Sequence, residues 1–174
     1  RRIFDRIVQQ CMDVGLVKGE GFAIDASVIE ADAIRFQRVE ESEVEWSQEQ
    51  LASRAIQEYI TALESENTPI NPHQKPKAMS PSDPTAAWTS RGRNKVMFGY
   101  SLNYLIDMES AVIIDVEATP TRVSKEVEAT ETMIERTERR FDLKPDHLAG
   151  DVAYGTGNML GWLVERDIDP HIPV

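Results

Sequence analysis

The sequence lacks the features that disulfide-linked proteins, thiolate metal sites and membrane-spanning proteins require. Cys11 is the only cysteine among 174 residues, so an internal disulfide and a thiolate metal site are both excluded. The three histidines, His73, His147 and His171, are scattered without ligand spacing, which argues against a zinc site. No apolar run approaches the roughly 20 residues that cross a bilayer. These absences favour a cytoplasmic protein with no membrane partner.

The chain also lacks an excess of positive charge. Its formal net charge is -11, which argues against a general nucleic-acid-binding surface. The charge is uneven, however, because acids dominate residues 30–66 while bases dominate residues 72–104. Within the basic part, Arg91, Arg93 and Lys95 are the best candidates for contact with phosphate. The alternative, a solvated turn that binds nothing, stays open.

The pattern of apolar residues predicts a mixed α/β domain. Helices are expected at 2–14, 43–65, 123–141 and 158–166, strands at 22–31, 96–106, 111–118, 148–151 and 170–174, and a Pro-rich loop at 67–89. The three strands that come first would be antiparallel, and helices then alternate with parallel strands. This order is typical of the RNase H-like (retroviral-integrase-like) fold, a mixed sheet flanked by helices, here with a helical and Pro-rich insertion after the first strand.

Two aspartates carry the chemistry that the sequence indicates. Asp25 follows the apolar run at 21–24, and Asp151 follows the run at 147–150. Carboxylates at the ends of buried strands are held in place by the sheet, and their hard oxygens suit Mg²⁺ or Mn²⁺. In the RNase H-like fold the first and fourth strands are neighbours, so the two carboxylates would meet. Each aspartate taken alone could equally be a turn or strand-end residue.

Four segments in order resemble the DDE transposases of bacterial insertion sequences, the transposase DDE domain family. They are the segments at 22–27, at 80–84 followed by Gly99-Tyr100, at 150–155 and at 163–173. The resemblance implies cleavage of double-stranded DNA at transposon ends and joining of the freed 3′-hydroxyl to target DNA. It implies that Asp25 and Asp151 are catalytic metal ligands for Mg²⁺ or Mn²⁺. It also implies a nucleoid-associated place of action and a possible homo-oligomer.

The resemblance implies a third acid that the sequence does not supply. In the family a glutamate follows on a helix beyond the last strand, and this sequence contains no counterpart. Glu165 is a weaker candidate, because its helical position favours solvent. We expect residues 1–20 to end an N-terminal helical region and 21–174 to be a partial catalytic core, with an insertion at 36–90, cut from a longer protein at both ends. A non-catalytic relic that binds DNA or protein, or a nuclease of the same fold, are the alternatives.

Overall fold

The computed structural model describes residues 1–33, 47–53, 56–57, 79–91, 95–120 and 123–174. Its α-helices are α1 (Arg2–Asp13), α2 (Gln48–Leu51), α3 (Val123–Phe141) and α4 (Gly157–Glu165), and a 3₁₀ turn spans Val152–Tyr154. Its strands are β1 (Gly21–Glu30), β2 (Ala87–Arg91), β3 (Lys95–Asp107), β4 (Ile113–Pro120), β5 (His147–Ala149) and β6 (Asp169–His171). In this described part of the chain, no helix is both long and apolar enough to span a membrane.

The described strands form one mixed sheet in the order β2-β3-β1-β5-β6, with β4 paired to β3. β2 and β3 are antiparallel, whereas β5 is parallel to both β1 and β6. The first strand is therefore central, and the strand that follows α3 lies beside it. This arrangement confirms the predicted α/β class and the RNase H-like topology.

The chain divides into two compact units. The first comprises residues 1–27 and 101–174, and the second comprises residues 28–100. The core of the first unit includes the fully buried side chains Phe22, Leu105, Met133, Leu148 and Leu163. The second unit has a smaller core around Phe98, whose ring packs edge-on against Trp88 with 4.8 Å between ring centroids.

Helix α3 illustrates how the sequence specifies its own packing. Ala129, Thr130, Met133, Ile134 and Thr137 are buried and recur at helical spacing, so they form a single stripe that faces the core. The last turn carries Arg139 and Arg140, whose positive charges interact favourably with the helix carboxyl end. The bounds of this helix are those predicted from the sequence.

Two predicted segments differ from the structure. The prediction of a loop over residues 67–89 is wrong at its carboxyl end. Strand β2 begins at Ala87, and its Trp88 pairs with Phe98. The helix predicted at 43–65 is interrupted, because α2 ends at Leu51 and residues 52–53 form a turn, while residues 56–57 are helical again. The rest of that prediction lies outside the described residues. Most of the predicted insertion at 36–90 lies outside the described residues, so its boundaries stay a prediction.

Helix α4 provides a first test of local stability. The Thr156 hydroxyl accepts a hydrogen bond from the Met159 backbone N–H at 3.3 Å and caps the helix. Thr156→Ala should lower the free energy of unfolding by about 1 kcal/mol, because an N-terminal amide loses its partner. Thr132→Ala is the control, since that exposed hydroxyl bonds back to the Glu128 carbonyl within α3 and its loss should be neutral. Equal midpoints in urea for Thr156→Ala and the parent protein would contradict the cap.

Candidate metal centre

The pairing of β1 with β5 brings the two predicted aspartates together. The parallel register pairs Gly21 with His147, Phe22 with Leu148 and Ala23 with Ala149. Asp25 and Asp151 each follow the last of these pairs by two residues, although β5 itself ends at Ala149. Asp151 therefore follows the carboxyl end of β5, the side of an open α/β sheet on which ligands bind, while Asp25 lies in the middle of β1.

Gly150 allows the segment that carries Asp151 to lie close to β1. A Cβ atom on Gly150 would lie 2.9 Å from Ile24 Cγ2 and 3.4 Å from Tyr154 Cδ2. The first distance is shorter than side-chain carbons tolerate, so a larger residue would push β1 away from the segment that carries Asp151. Steric crowding therefore explains why a glycine precedes Asp151.

Both carboxylates are exposed and oriented by backbone amides. Asp25 Oδ1 accepts a hydrogen bond from the Ala26 N–H at 2.8 Å. Asp151 Oδ1 accepts one from the Ala153 N–H at 2.9 Å and so caps the 3₁₀ turn. Within the described ranges, neither Asp25 nor Asp151 forms an ion pair with a basic side chain. Each carboxylate is thus fixed at one oxygen while the other can bind a ligand.

A buried tyrosine lies next to this pair. Tyr154 is 3% exposed, and its hydroxyl has no hydrogen-bond partner among the described residues. Burial raises the pKa of the Tyr154 phenol, and the negative charges of Glu126, Asp151 and Asp25 raise it further. The phenol therefore stays protonated at neutral pH and can act only as a neutral donor or acceptor.

Glu126 brings a third negative charge to this end of the sheet. It lies in the first turn of α3, which packs against the 3₁₀ turn. Its Oε1 accepts a hydrogen bond from the Ser101 hydroxyl at 2.6 Å, and Ser101 is fully buried in β3. The Glu126 carboxylate is therefore held from within the sheet, and its negative charge helps to raise the pKa of Tyr154.

The donor set fits a hard divalent cation. Mg²⁺ is commonly bound through one or two carboxylates and retains several waters or substrate oxygens. Among the described residues no cluster of three or more His, Cys, Asp or Glu side chains is arranged to hold a metal ion, so Glu126 is not a direct ligand alongside Asp25 and Asp151. Glu165 is exposed at the end of α4, as its helical position predicted.

Two of the three basic residues predicted to contact phosphate lie at the facing ends of two paired strands. Arg91 and Lys95 are paired residues at the ends of β2 and β3, where the structure describes the backbone. Arg93 lies outside the described residues. The contact of these three residues with DNA stays a prediction.

Sequence reasoning missed Glu126 and Tyr154 as members of the site. Tyr154 lies three residues after Asp151 and inside a segment that carries the family resemblance, so a signal was present. Glu126 gives no such signal, because an acid in the first turn of a helix is ordinary. Only the packing of α3 against the 3₁₀ turn brings it near the aspartates.

Comparison with known proteins identifies the family. The model of the transposase DDE domain family matches residues 18–174. No curated protein gives a significant match. Among solved structures, the Mos1 transposase paired-end complex with the left transposon end is similar over 96% of this chain, at 10% identity and a TM-score of 0.42. The Mos1 strand transfer complex is similar over all of it, at 11% identity and a TM-score of 0.38. The chain spans about two fifths of those proteins, 39% and 40% respectively. The family match covers most of the sequence, and the chain belongs to the transposase DDE domain family.

Proposed function

We propose that this chain supplies two metal-binding carboxylates, Asp25 and Asp151, to the catalytic core of a DNA transposase. The observation that supports the proposal is the parallel pairing of β1 with β5 in a member of the DDE family, because Asp25 and Asp151 each follow the last printed pair of that register by two residues. The family implies the use of a divalent metal ion. The oxygen-only donor pair favours Mg²⁺, with Mn²⁺ as its working substitute.

The proposed reaction is phosphoryl transfer on double-stranded DNA. In the first step a water oxygen bonds to phosphorus and the bond from phosphorus to the 3′ oxygen breaks, which leaves a 5′-phosphate. The water gives up a proton to solvent, and the departing 3′ oxygen takes one from solvent to become the 3′-hydroxyl. In strand transfer that hydroxyl attacks a target phosphodiester in the same way. Bound divalent cations stabilise the negative charge on the attacking and leaving oxygens. Asp25 and Asp151 would hold the cation, and the backbone hydrogen bonds that orient their carboxylates would limit the reorganisation needed to bind it.

DNA partners follow from the same proposal. Transposon-end and target DNA are the substrates proposed here, and the match to the transposase DDE domain family supports them. Arg91, Arg93 and Lys95 would neutralise backbone phosphates, so their contribution should weaken as salt rises. A homo-oligomer and a nucleoid-associated, cytoplasmic place of action belong to this proposal as well.

The Asp pair is tested by titration with Mn²⁺ and detection of the free ion by electron paramagnetic resonance. Asp25→Asn and Asp151→Asn should each weaken binding by about 100-fold, because each replaces an anionic ligand with a neutral amide whose oxygen is a poorer ligand for a hard cation. Asp13→Asn is the matched control, since it removes the same charge from an exposed position on α1. Unchanged affinity in both site variants, with native unfolding curves, would refute the site.

A second function is favoured by one observation. In the described part of the chain no third acidic ligand joins Asp25 and Asp151, whereas the family mechanism uses three. A relic that keeps the fold and binds DNA or protein without catalysis would have this arrangement. The same titration separates the two functions, because a relic has no reason to bind Mn²⁺ through both aspartates.

A further inference from the structure

Helix α1 carries a row of apolar side chains that are open to solvent. Ile3, Ile7 and Val14 are each more than half exposed. Helix α3, in the same unit, is different, because its exposed residues within the described part of the chain are all polar: Glu128, Thr132, Glu135, Arg139 and Arg140. Single exposed apolar residues are common on protein surfaces, but a contiguous row of them typically marks an interaction site.

The exposed apolar residues of α1 have the spacing of a helix–helix contact. Together with Gln10 they form a row whose members are four, three and four residues apart, as in the seam of a coiled coil. Val14 directly follows the last helical residue, and its N–H still bonds to the Gln10 carbonyl at 3.2 Å, so it continues the row. The other face of α1 packs against the core through Phe4 and Val8. We call the exposed row the α1 seam: Ile3, Ile7, Gln10 and Val14.

An open groove beside the seam can receive side chains from a second helix. Its volume is about 480 Å³, and it is lined by Ile7, Gln10, Cys11, Asp13 and Val14. In packed helix pairs, side chains of one helix insert into such spaces between residues of the other. The α1 seam therefore offers both the apolar side chains and the space that a partner helix needs.

Two charges beside the seam indicate which helix fits. Arg6 directly precedes Ile7 and Asp13 directly precedes Val14, so both charges lie along the same edge of the seam, about two turns apart. Both residues are exposed, and within the described ranges neither forms an ion pair. Asp13 accepts a hydrogen bond from the neutral Gln9 amide at 3.0 Å. Each charge is thus available to a partner of opposite sign.

A second α1 in the antiparallel direction matches the seam and both charges. Setting Ile3 of one copy against Val14 of the other, and Ile7 against Gln10, uses every seam residue. The same alignment sets Arg6 of each copy against Asp13 of the other, twice by symmetry. In a parallel pair Arg6 would instead meet Cys11, and both charges would stay unpaired.

We propose that the α1 seam is a docking surface for a second copy of this chain, with the two α1 helices packed antiparallel about a two-fold axis. Charges that flank a helix seam set partner choice and orientation, and here they are self-complementary. The inference deepens the homo-oligomer of the proposed function by naming its surface, and it rests on that part of the proposed function alone. The Asp25 and Asp151 site shares no residue with it.

Sedimentation equilibrium of the whole chain over a range of concentrations tests the surface. The parent protein should form dimers. Ile7→Gln and Val14→Gln should each weaken dimerisation at least tenfold, because each dimer then loses two buried apolar side chains. Val164→Gln is the matched control, since Val164 is also more than half exposed but lies on α4, and it should keep the parent dissociation constant. All three sites are exposed, so the unfolding curves should stay close to that of the parent.

Reversal of the two charges tests the antiparallel arrangement. Arg6→Glu makes both members of each pair acidic, Asp13→Arg makes both basic, and each variant should self-associate about 3–10-fold more weakly than the parent. A mixture of the two variants should form heterodimers about as tight as the parent dimer, because every acid of one variant then meets a base of the other.

The outcomes separate this inference from the metal site. A parent protein that stays monomeric at the highest soluble concentration overturns the inference, and so does a dimer that Ile7→Gln leaves unchanged. A mixture no tighter than its two components overturns the antiparallel pairing and the inference with it. Ile7→Gln should bind Mn²⁺ like the parent, whereas Asp25→Asn should dimerise like the parent, so the dimer and the metal site can fail independently.

Discussion

Replacing Arg136 with methionine should lower the free energy of unfolding by about 3–5 kcal/mol, which is the usual cost of leaving a buried charge without its partner. Arg136 Nε donates to Asp115 Oδ2 and Nη1 donates to Glu117 Oε2, each at 2.6 Å. The Asp115 side chain is only 4% exposed and that of Arg136 is 14% exposed. Burial alone would lower the pKa of Arg136, but its bonds to Asp115 and Glu117 outweigh burial and raise that pKa.

The ion network also joins three elements of the first unit. Asp115 and Glu117 lie two residues apart on β4 and so on the same face, where α3 brings Arg136 across them. Arg1, at the start of α1, donates to Asp115 and to the Val116 carbonyl. The methionine variant would leave Asp115 with Arg1 alone, and Arg1 is more exposed than Arg136.

Thermal unfolding checks this prediction with a control on the same helix. The midpoint of Arg136→Met should fall by about 10 °C for a chain of this size. Arg140→Met removes a neighbouring arginine whose partner Asp5 lies 3.2 Å away near the surface, and it should cost less than about 1 kcal/mol. Adding Asp115→Val to Arg136→Met should recover part of the loss, since the buried carboxylate that was left with Arg1 alone is then gone. Equal losses in the two arginine variants would show that burial of the network is unimportant.

The sequence was sufficient to predict elements whose residues interact locally or repeat at a regular spacing. Helix α3 has the predicted bounds because its apolar stripe is long and regular. The parallel pairing of β1 with β5 followed from strand order once the fold class was recognised, since strand order is a property of the whole sheet. Strand β2 was missed because only five residues form it, directly after a Pro-rich stretch that favours a loop.

Features that depend on distant partners could not be predicted from local pattern. Asp115 interrupts an apolar strand, and only the position of Arg136 on α3 explains why a carboxylate is tolerated there. Glu126 has the composition of an ordinary helix start, and its membership of the site depends on contacts with Ser101 in β3 and with the 3₁₀ turn. Such pairs are separated by 21 and 25 residues, so no helical or strand period relates them.

The sheet that positions the aspartates should itself depend on one aromatic side chain. Phe22 is fully buried in β1, pairs in register with Leu148 and lies three residues before Asp25. Phe22→Ala should lower the free energy of unfolding by about 3–5 kcal/mol, because it leaves a cavity in the close-packed core. Phe22→Leu fills most of that space, so we expect a loss below about 1.5 kcal/mol.

Urea unfolding of the three proteins, with Phe4→Ala as control, checks this expectation. Phe4 packs against the same core from α1 but is only partly buried, so its truncation should cost less than half as much as that of Phe22. The backbone register should survive in the folded fraction of Phe22→Ala, because a slip of one residue would turn every buried side chain of β1 towards the opposite face. Mn²⁺ affinity measured well below the unfolding midpoint should therefore stay within about threefold of the parent, a difference of less than 1 kcal/mol. A tenfold loss of affinity in that variant would mean that Phe22, and not the hydrogen-bonded ladder, holds Asp25 opposite Asp151.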